Sequence, residues 1–208
     1  MNIGILGSGN VGGTLGTRWA QVGHQVVFSS REPESAKMKE LVAKAGANAR
    51  AAQAAATIAA SDVILLATPW AATQQVLAGL NLSGKILIDA VNPLLPDLSA
   101  LEVGTTMSAA EKVAQWAPGA RVVKAFNTIG YAVMADPIVA GEKVTLFYCG
   151  DDAEAKKVIG QLAAELGFNP VDAGPLTQAR VLEPFALLWI SLAFRQGFGF
   201  HWGFKVLR

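Results

Sequence analysis

Gly7-Ser8-Gly9-Asn10-Val11-Gly12 forms a G-x-G-x-x-G turn, directly after the apolar run Ile3–Leu6 and directly before a helical pattern. In this spacing the first glycine permits the tight turn, the second lets a pyrophosphate approach the backbone, and the third lets helix and strand pack closely. The start of the following helix offers unpaired N–H groups and a partial positive charge to phosphates. The motif therefore predicts a dinucleotide bound at the Gly7–Gly12 turn; the alternative is a glycine turn that serves packing alone.

The next apolar run ends Phe28-Ser29-Ser30-Arg31. A site for NAD places an acid about 20 residues after the glycines, where it grips the ribose 2′-hydroxyl. Here Ser30 and Arg31 stand at that position, and Glu32 follows beyond it. A guanidinium fork and a hydroxyl suit a 2′-phosphate, so the pair predicts NADP rather than NAD. A plain surface arginine at a loop start is the competing reading. Lys37 and Lys39 read as solvated helix charges.

Further runs end in Thr68-Pro69-Trp70, in Asn92-Pro93 and in Phe126-Asn127-Thr128. In open α/β sheets the ligand lies beyond such strand ends. Thr68 can bond the cofactor, Pro69 stiffens the turn, and Asn92 and Asn127 can each orient a carboxamide or carbonyl. Asn92-Pro93 also reads as a turn initiator, and Trp70 either as a wall on the nicotinamide side or as a packed helix start.

Elements must carry these residues to one place. Strands are predicted at Ile3–Leu6, Gln25–Ser29, Val63–Ala67, Lys85–Asp89, Val122–Ala125 and Val144–Cys149, with a weaker one at Asn169–Asp172. Several are apolar on consecutive residues, as strands covered on both faces are. Helical patterns fill the gaps at Val11–Val22, Glu34–Ala45, Ala51–Ala60, Ala71–Leu80, Ser108–Trp116 and Ala153–Leu166, the last with Asp152 as N-cap and Gly167 after its end. The alternation predicts an α/β fold, a Rossmann-type doubly wound, mostly parallel sheet. Residues 1–175 read as the NADP-binding domain. Residues 176–208 read as an apolar helix (176–196) and a short aromatic tail.

Composition narrows the classes. The chain has 208 residues, 52% hydrophobic and 16% charged, with a net charge of +1. That is the size of one domain, and the balance argues against disorder and against a nucleic-acid partner. One cysteine, Cys149, and two histidines, His24 and His201, give no disulfide, no CxxC pair and no metal site by count. Cys149 reads as a core thiol and His24 as a turn residue. The apolar run Pro184–Phe194 is too short for a membrane span, and no secretory pattern opens the chain. The expected setting is the cytoplasm, with no membrane partner.

These motifs resemble the F420-dependent NADP oxidoreductases, and the same module is similar to the cytosolic domain of the six-transmembrane metalloreductases. The likeness runs through Gly7–Gly12, Ser30-Arg31, Ala67-Thr68-Pro69-Trp70, Val123-Lys124-Ala125-Phe126-Asn127-Thr128, Cys149-Gly150-Asp151-Asp152, Asp172-Ala173-Gly174-Pro175-Leu176 and Gly203-Phe204-Lys205. It implies hydride transfer between NADP(H) and a deazaflavin (coenzyme F420) or flavin-like acceptor. It further implies that Ser30 and Arg31 bind the 2′-phosphate and that Thr68-Pro69 and the Asn127-Thr128 strand end line the nicotinamide. Trp202 would lie near the deazaflavin. Characterised F420 enzymes can carry a histidine at the position of Asn127, and the asparagine is closer to the metalloreductase version.

The chemistry agrees with ring-to-ring transfer. Reducing a simple ketone needs a group that protonates the developing alkoxide, and neither histidine nor a Tyr-x-x-x-Lys pair offers one. Two stacked planes need positioning and exclusion of water. Phe198, Phe200, Trp202 and Phe204 alternate with Gly197, Gly199 and Gly203, so Trp202, Gly203 and Phe204 are candidates for an acceptor wall, a dimer contact, or both. Arg195, Lys205 and Arg208, with no acid after Glu183, would attract an acidic acceptor. An exposed apolar helix predicts a homodimer. The competing functions are a ferric or flavin reductase, a carbonyl or imine reductase, and a non-catalytic NADP-binding sensor subunit. Hydroxyacid-type dehydrogenases follow the nucleotide domain with a large helical domain, where only 176–208 follow here.

Overall fold

The computed structural model describes residues 1–207; Arg208, counted above toward the tail's charge, lies outside the described residues. The chain runs β1 (Asn2–Leu6), α1 (Asn10–Gln21), β2 (Gln25–Ser29), α2 (Ala36–Ala45), β3 (Ala49–Ala52), α3 (Ala54–Ala59), β4 (Val63–Leu66), α4 (Trp70–Leu77), β5 (Ile86–Asp89) and α5 (Ala109–Trp116). It continues with β6 (Arg121–Ala125), α6 (Tyr131–Ala135), β7 (Ile138–Val139), β8 (Glu142–Lys143), β9 (Thr145–Gly150), α7 (Ala153–Glu165), β10 (Asn169–Asp172), a 3-10 turn (Leu176–Gln178) and α8 (Ala179–Arg195).

Eight strands form one sheet in the order β10-β9-β6-β5-β4-β1-β2-β3. Every neighbouring pair is parallel except β6 and β9. Strand order reverses at β1: β2 and β3 lie on one side, β4, β5 and β6 on the other. That reversal is where open α/β sheets leave a crevice beyond the strand ends. The consecutive apolar residues of β4 are buried throughout, because helices cover both faces. Asp152 caps α7 by accepting the Ala155 N–H at 2.7 Å, and Gly167 follows that helix with φ +97°.

Two segments depart from the sequence expectation. The helix expected over Ala51–Ala60 begins only at Ala54, and Ala49–Ala52 is the edge strand β3, registered against Val26–Ser29. Alanine favours helix intrinsically, but the open edge of β2 offers backbone partners that outweigh the preference. The short helix α6 and the hairpin β7–β8 were not expected, their elements being only two to five residues long.

The tail folds back along α8. Phe204 packs on Phe185 with ring centroids 4.2 Å apart, Trp202 stacks on Trp189 at 5.3 Å, and Phe200 meets Phe194 at 4.9 Å. Backbone bonds seal the arrangement: Thr145 N–H donates to the Phe204 carbonyl at 2.9 Å, and Val206 N–H to Thr145 Oγ1 at 2.9 Å.

Candidate functional site

The glycine turn leaves β1 with Gly7 at φ +100°, where a Cβ would lie 2.5 Å from the Ala67 carbonyl oxygen. A Cβ on Gly12 would run into the Gly7 carbonyl, so helix and turn can approach this closely only with glycine there. Gly9 differs: no atom lies within 4 Å of where its Cβ would be. Gly9 is the N-cap of α1, no side chain caps it, and the first turn of α1 carries no acid. The helix therefore presents free N–H donors to open space, an arrangement that fits a pyrophosphate.

Beside the turn lies a cleft of about 650 Å³, lined by Gly7, Gly9, Asn10 and Val11, by Ala67–Ala71, by Ala90–Asn92, and by Leu94, Leu95, Pro96 and Leu98. Among the described residues that line it, none is titratable. Trp70 starts α4, lines the cleft and packs on Trp116 with ring centroids 5.3 Å apart. Thr73 Oγ1 donates to the Pro69 carbonyl at 3.0 Å and lies 3.0 Å from Thr68 Oγ1. The single proton of Thr73 is thus spent, so Thr68 donates to Thr73 and keeps its own lone pairs for a ligand.

Ser30 and Arg31 follow β2, whose Phe28 is paired with Ile5 of β1, at the same end of the sheet as Gly7. Ser30 Oγ accepts the Glu32 N–H at 3.0 Å, which turns the chain away after Arg31. Arg31 is exposed and has no ion-pair partner among the described residues, leaving its guanidinium available to a phosphate. Ser8 donates to Met38 Sδ at 3.6 Å. Lys39 pairs with Glu34 on the surface.

Asn92, which lines the cleft, and Asn127, which is buried behind the lining, hold each other. Asn92 Nδ2 donates to the Asn127 carbonyl at 2.8 Å, and Asn127 Nδ2 donates to Asn92 Oδ1 at 3.2 Å and to the Leu182 carbonyl at 3.1 Å. Both protons of the Asn127 amide are spent, and Asn127 Oδ1 is buried without a partner. A buried acceptor left open is costly unless a donor meets it. Phe126, just before, is left-handed at φ +65° and is held there by edge-on contacts with Trp19 at 5.7 Å and Phe168 at 6.0 Å. Thr128 and Pro93 are buried beside the pair.

Sequence reasoning missed a group of three buried charges beneath this pair. Lys124 Nζ lies 3.0 Å from Asp89 Oδ2 and 2.9 Å from Glu183 Oε1, and all three side chains are fully buried. The carboxylates accept only from donors: Val91 N–H reaches Asp89, and Ala109 and Ala110 N–H reach Glu183. Burial works against the charge on Lys124, but the Asp89 and Glu183 carboxylates outweigh it and raise its pKa. Burial pushes the Glu183 carboxyl above its ordinary range, opposed by Lys124. The remaining negative charge meets the positive end of α5. The signal was present: each charge interrupts an otherwise apolar run, Ile86-Leu87-Ile88-Asp89, Val122-Val123-Lys124-Ala125 and Leu182-Glu183-Pro184-Phe185.

The tail residues Trp202, Gly203 and Phe204 pack on α8 and on Val144 and are not among those lining the cleft. The tail's positive charge is weaker than its sequence suggests, because Lys205 pairs with Glu142; Arg195 donates to the Asp97 carbonyl. His24 does more than turn the chain: its Nε2 bonds Glu165 at 2.7 Å, joining β2 to α7. His201 is exposed. Cys149 is buried, and burial pushes its thiol up to about 12. Among the described residues no His, Cys, Asp or Glu cluster could hold a metal ion, and no helix is long and apolar enough to cross a membrane.

Known proteins share this architecture. The family model described as NADP oxidoreductase coenzyme F420-dependent matches residues 2–93. The F420-dependent NADP reductase of Methanocaldococcus jannaschii is 31% identical over 210 residues, covering 92% of this chain and 92% of that protein. The metalloreductase STEAP3 of Rattus norvegicus is 34% identical over 189 residues; the match covers 89% of this chain but only 36% of that protein's length. A crystal structure of a protein from Arthrobacter sp. FB24, assigned to the F420-dependent NADP-reductases without a demonstrated activity, superposes with a TM-score of 0.89 at 31% identity over all of both chains. With the glycine turn, the Ser30-Arg31 strand end and the full-length match to the archaeal enzyme in place, this chain belongs to the F420-dependent NADP reductase family.

Proposed function

We propose that this chain transfers hydride between NADP(H) and a deazaflavin of the coenzyme F420 class. The observation that carries the reading is the cleft: it leads from the phosphate turn, is walled by Trp70, Leu94, Leu95 and Leu98, and has no titratable side chain among its described lining. Reduction of a ketone or imine calls for a proton donor at the reacting atom, whereas hydride passing between two flat rings calls for alignment in a dry slot.

In this reading the free N–H groups at the start of α1 and the backbone of Ser8–Val11 hold the pyrophosphate. Arg31, with Ser30, holds the 2′-phosphate. Thr68 accepts from the cofactor, and Asn127 Oδ1 accepts from the carboxamide amide, fixing which face of the ring turns toward the acceptor. Trp70 and the leucines exclude water. The nicotinamide, when bound, supplies the hydride chemistry. A cytoplasmic setting goes with a reduced nicotinamide co-substrate.

Residues 176–207 serve, in the same proposal, as the contact with a second copy; the tail packs away from the cleft lining, so the acceptor wall expected there is not part of it. The support is the apolar surface that α8 and the tail leave uncovered: Val181 is 61% exposed, Leu188 49% and Phe198 59%. Sedimentation equilibrium that finds only monomer at micromolar concentration rejects the pairing.

The test of the function is NADPH oxidation with F420, FMN, FAD and a ferric chelate offered in parallel. Reduction of F420 well ahead of the others is expected. Turnover confined to ferric chelate or flavin transfers the activity to that acceptor, and NADPH binding without turnover on any of them overturns the enzymatic reading.

A further inference from the structure

The three buried charges are not among the cleft's lining, yet their bonds end on segments that shape its nicotinamide end. Asp89 and Lys124 grip Val91 through both of its backbone groups, one in each of two successive peptides. Val91 N–H donates to Asp89 Oδ1 at 2.9 Å, while Lys124 Nζ donates to the Val91 carbonyl. Val91 and Asn92 are cleft residues. Glu183 reaches the same ammonium from α8, and its oxygens accept the Ala109 and Ala110 N–H groups of α5 at 2.8 and 3.1 Å. The residue before it, Leu182, gives its carbonyl to Asn127 Nδ2. The ammonium has three protons, and the Val91 carbonyl, Asp89 and Glu183 take them all.

Stability alone is a weak account of this arrangement, because a buried ionic triad is often replaced by apolar residues of similar volume without loss. What apolar residues cannot reproduce is direction. Each bond here has one donor and one acceptor, and together they fix the rotation of the Val91–Asn92 peptide and the height of α8 at Leu182. Those two settings decide where the Asn127 amide is held and which of its atoms remains free.

We propose that Lys124, Asp89 and Glu183 are positioning residues for hydride transfer: from beneath the cleft they set Asn92 and Asn127, and so the orientation of the nicotinamide, without contributing to the hold on the phosphates. The proposal rests on the reading of the cleft as an NADP(H) site. It predicts a division of labour within one cofactor, with the adenosine end indifferent to the triad and the nicotinamide end dependent on it.

The test uses two variants of the full chain. Glu183→Gln keeps the shape but turns one acceptor into a donor that faces N–H groups. Asp89→Leu/Lys124→Met/Glu183→Leu removes every buried charge and so leaves none unpaired if the single variant folds poorly. Three measurements are made on each: affinity for 2′-phospho-ADP-ribose, which lacks the nicotinamide; the emission spectrum of bound NADPH; and kcat and KM with F420. The expected result is unchanged 2′-phospho-ADP-ribose affinity, emission moved toward that of free NADPH, and kcat lowered roughly 100-fold with little change in the KM for NADPH, the cost of about 1 Å of misplacement. A folded apolar variant with full kcat and unaltered emission overturns the proposal. Loss of 2′-phospho-ADP-ribose binding in step with the other readouts also overturns it, in favour of a purely structural role. If the unsubstituted protein binds NADPH but does not reduce F420, the acceptor assignment fails while the emission of the variants still decides the role of the triad.

Discussion

The two ends of the cleft are built in opposite ways. The end proposed for the phosphates is six consecutive residues, Gly7–Gly12, with free backbone N–H donors and a shape that comes from absent side chains. The end proposed for the nicotinamide is assembled from β5, β6, α5 and α8, with Asp89, Asn92, Lys124, Asn127, Leu182 and Glu183 meeting through side-chain bonds. A local motif can be altered at its ligand surface without disturbing the fold. A nonlocal one carries its geometry in the same contacts that hold the domain together, so changes there reach both.

The strongest break in that comparison is expected from Gly9→Val. Gly9 has φ −76° and ψ −159°, which valine adopts readily, and its Cβ position is open. The branched side chain then fills the space that the pyrophosphate needs. Losing two charge-assisted bonds at about 1.5 kcal/mol or more each lowers affinity by roughly 100-fold or more, for NADPH and NADH alike. Fluorescence titration measures the loss, and a thermal melt close to that of the unsubstituted protein shows that only the ligand surface changed. Normal NADPH binding by the variant removes the turn from the phosphate site.

Arg31→Ala sharpens the same end. The residue is exposed and makes no ion pair among the described residues, so the fold should not register its loss. NADPH affinity is expected to fall by about 10- to 150-fold, the worth of one charged contact, while NADH affinity stays put. Parallel titrations that find the two cofactors bound equally by the unsubstituted protein remove the 2′-phosphate assignment.

The same division explains what the sequence reveals. The glycine turn is legible as the link from β1 to α1, and Ser30-Arg31 as the residues that follow β2, because each is written in consecutive residues. β4 and β5 are legible because burial on both faces writes itself as consecutive apolar residues. β3 is not, since alanines say nothing of the open strand edge beside them. The Asn92–Asn127 pair is half legible: both residues stand out at strand ends, but their bond to each other appears only once β5 and β6 are adjacent. The tail aromatics announce a flat surface, yet their partners Phe185, Trp189 and Phe194 are recognisable only once the tail is folded back along α8. The apolar strand and helix runs broken by Asp89, Lys124 and Glu183 held the most information that went unread. A charge inside a buried strand requires a partner, and three such interruptions in one chain require each other.

The smallest expected effect concerns acid and the assembled end. Glu111 closes the capping box of α5 with Ser108 and accepts from Arg180 of α8, at 2.9 Å from Nε. The hydrogen bond from Arg180 holds the Glu111 carboxyl down to about 2, against an ordinary value of 4.5. A carboxyl depressed by folding stabilises the fold in its ionised form. The contribution is therefore complete above about pH 4.5 and is lost as pH falls through the folded value near 2. Because Arg180 is 38% exposed, solvent screens the pair and its worth is roughly 0.5–1 kcal/mol. Glu111→Gln keeps the acceptor for Ser108 N–H but removes the charge. It should lower stability by that amount at pH 7, and the difference from the unsubstituted protein should shrink toward zero near pH 2, as followed by denaturant melts across the range. Arg31 and Gly9 lie outside this contact, so 2′-phospho-ADP-ribose binding at pH 7 should be the same in both proteins. A stability difference that persists undiminished at pH 2 would show that Glu111 acts through packing of the α5 cap rather than through its charge, and the anchoring of α8 to α5 would then rest on Glu183 alone.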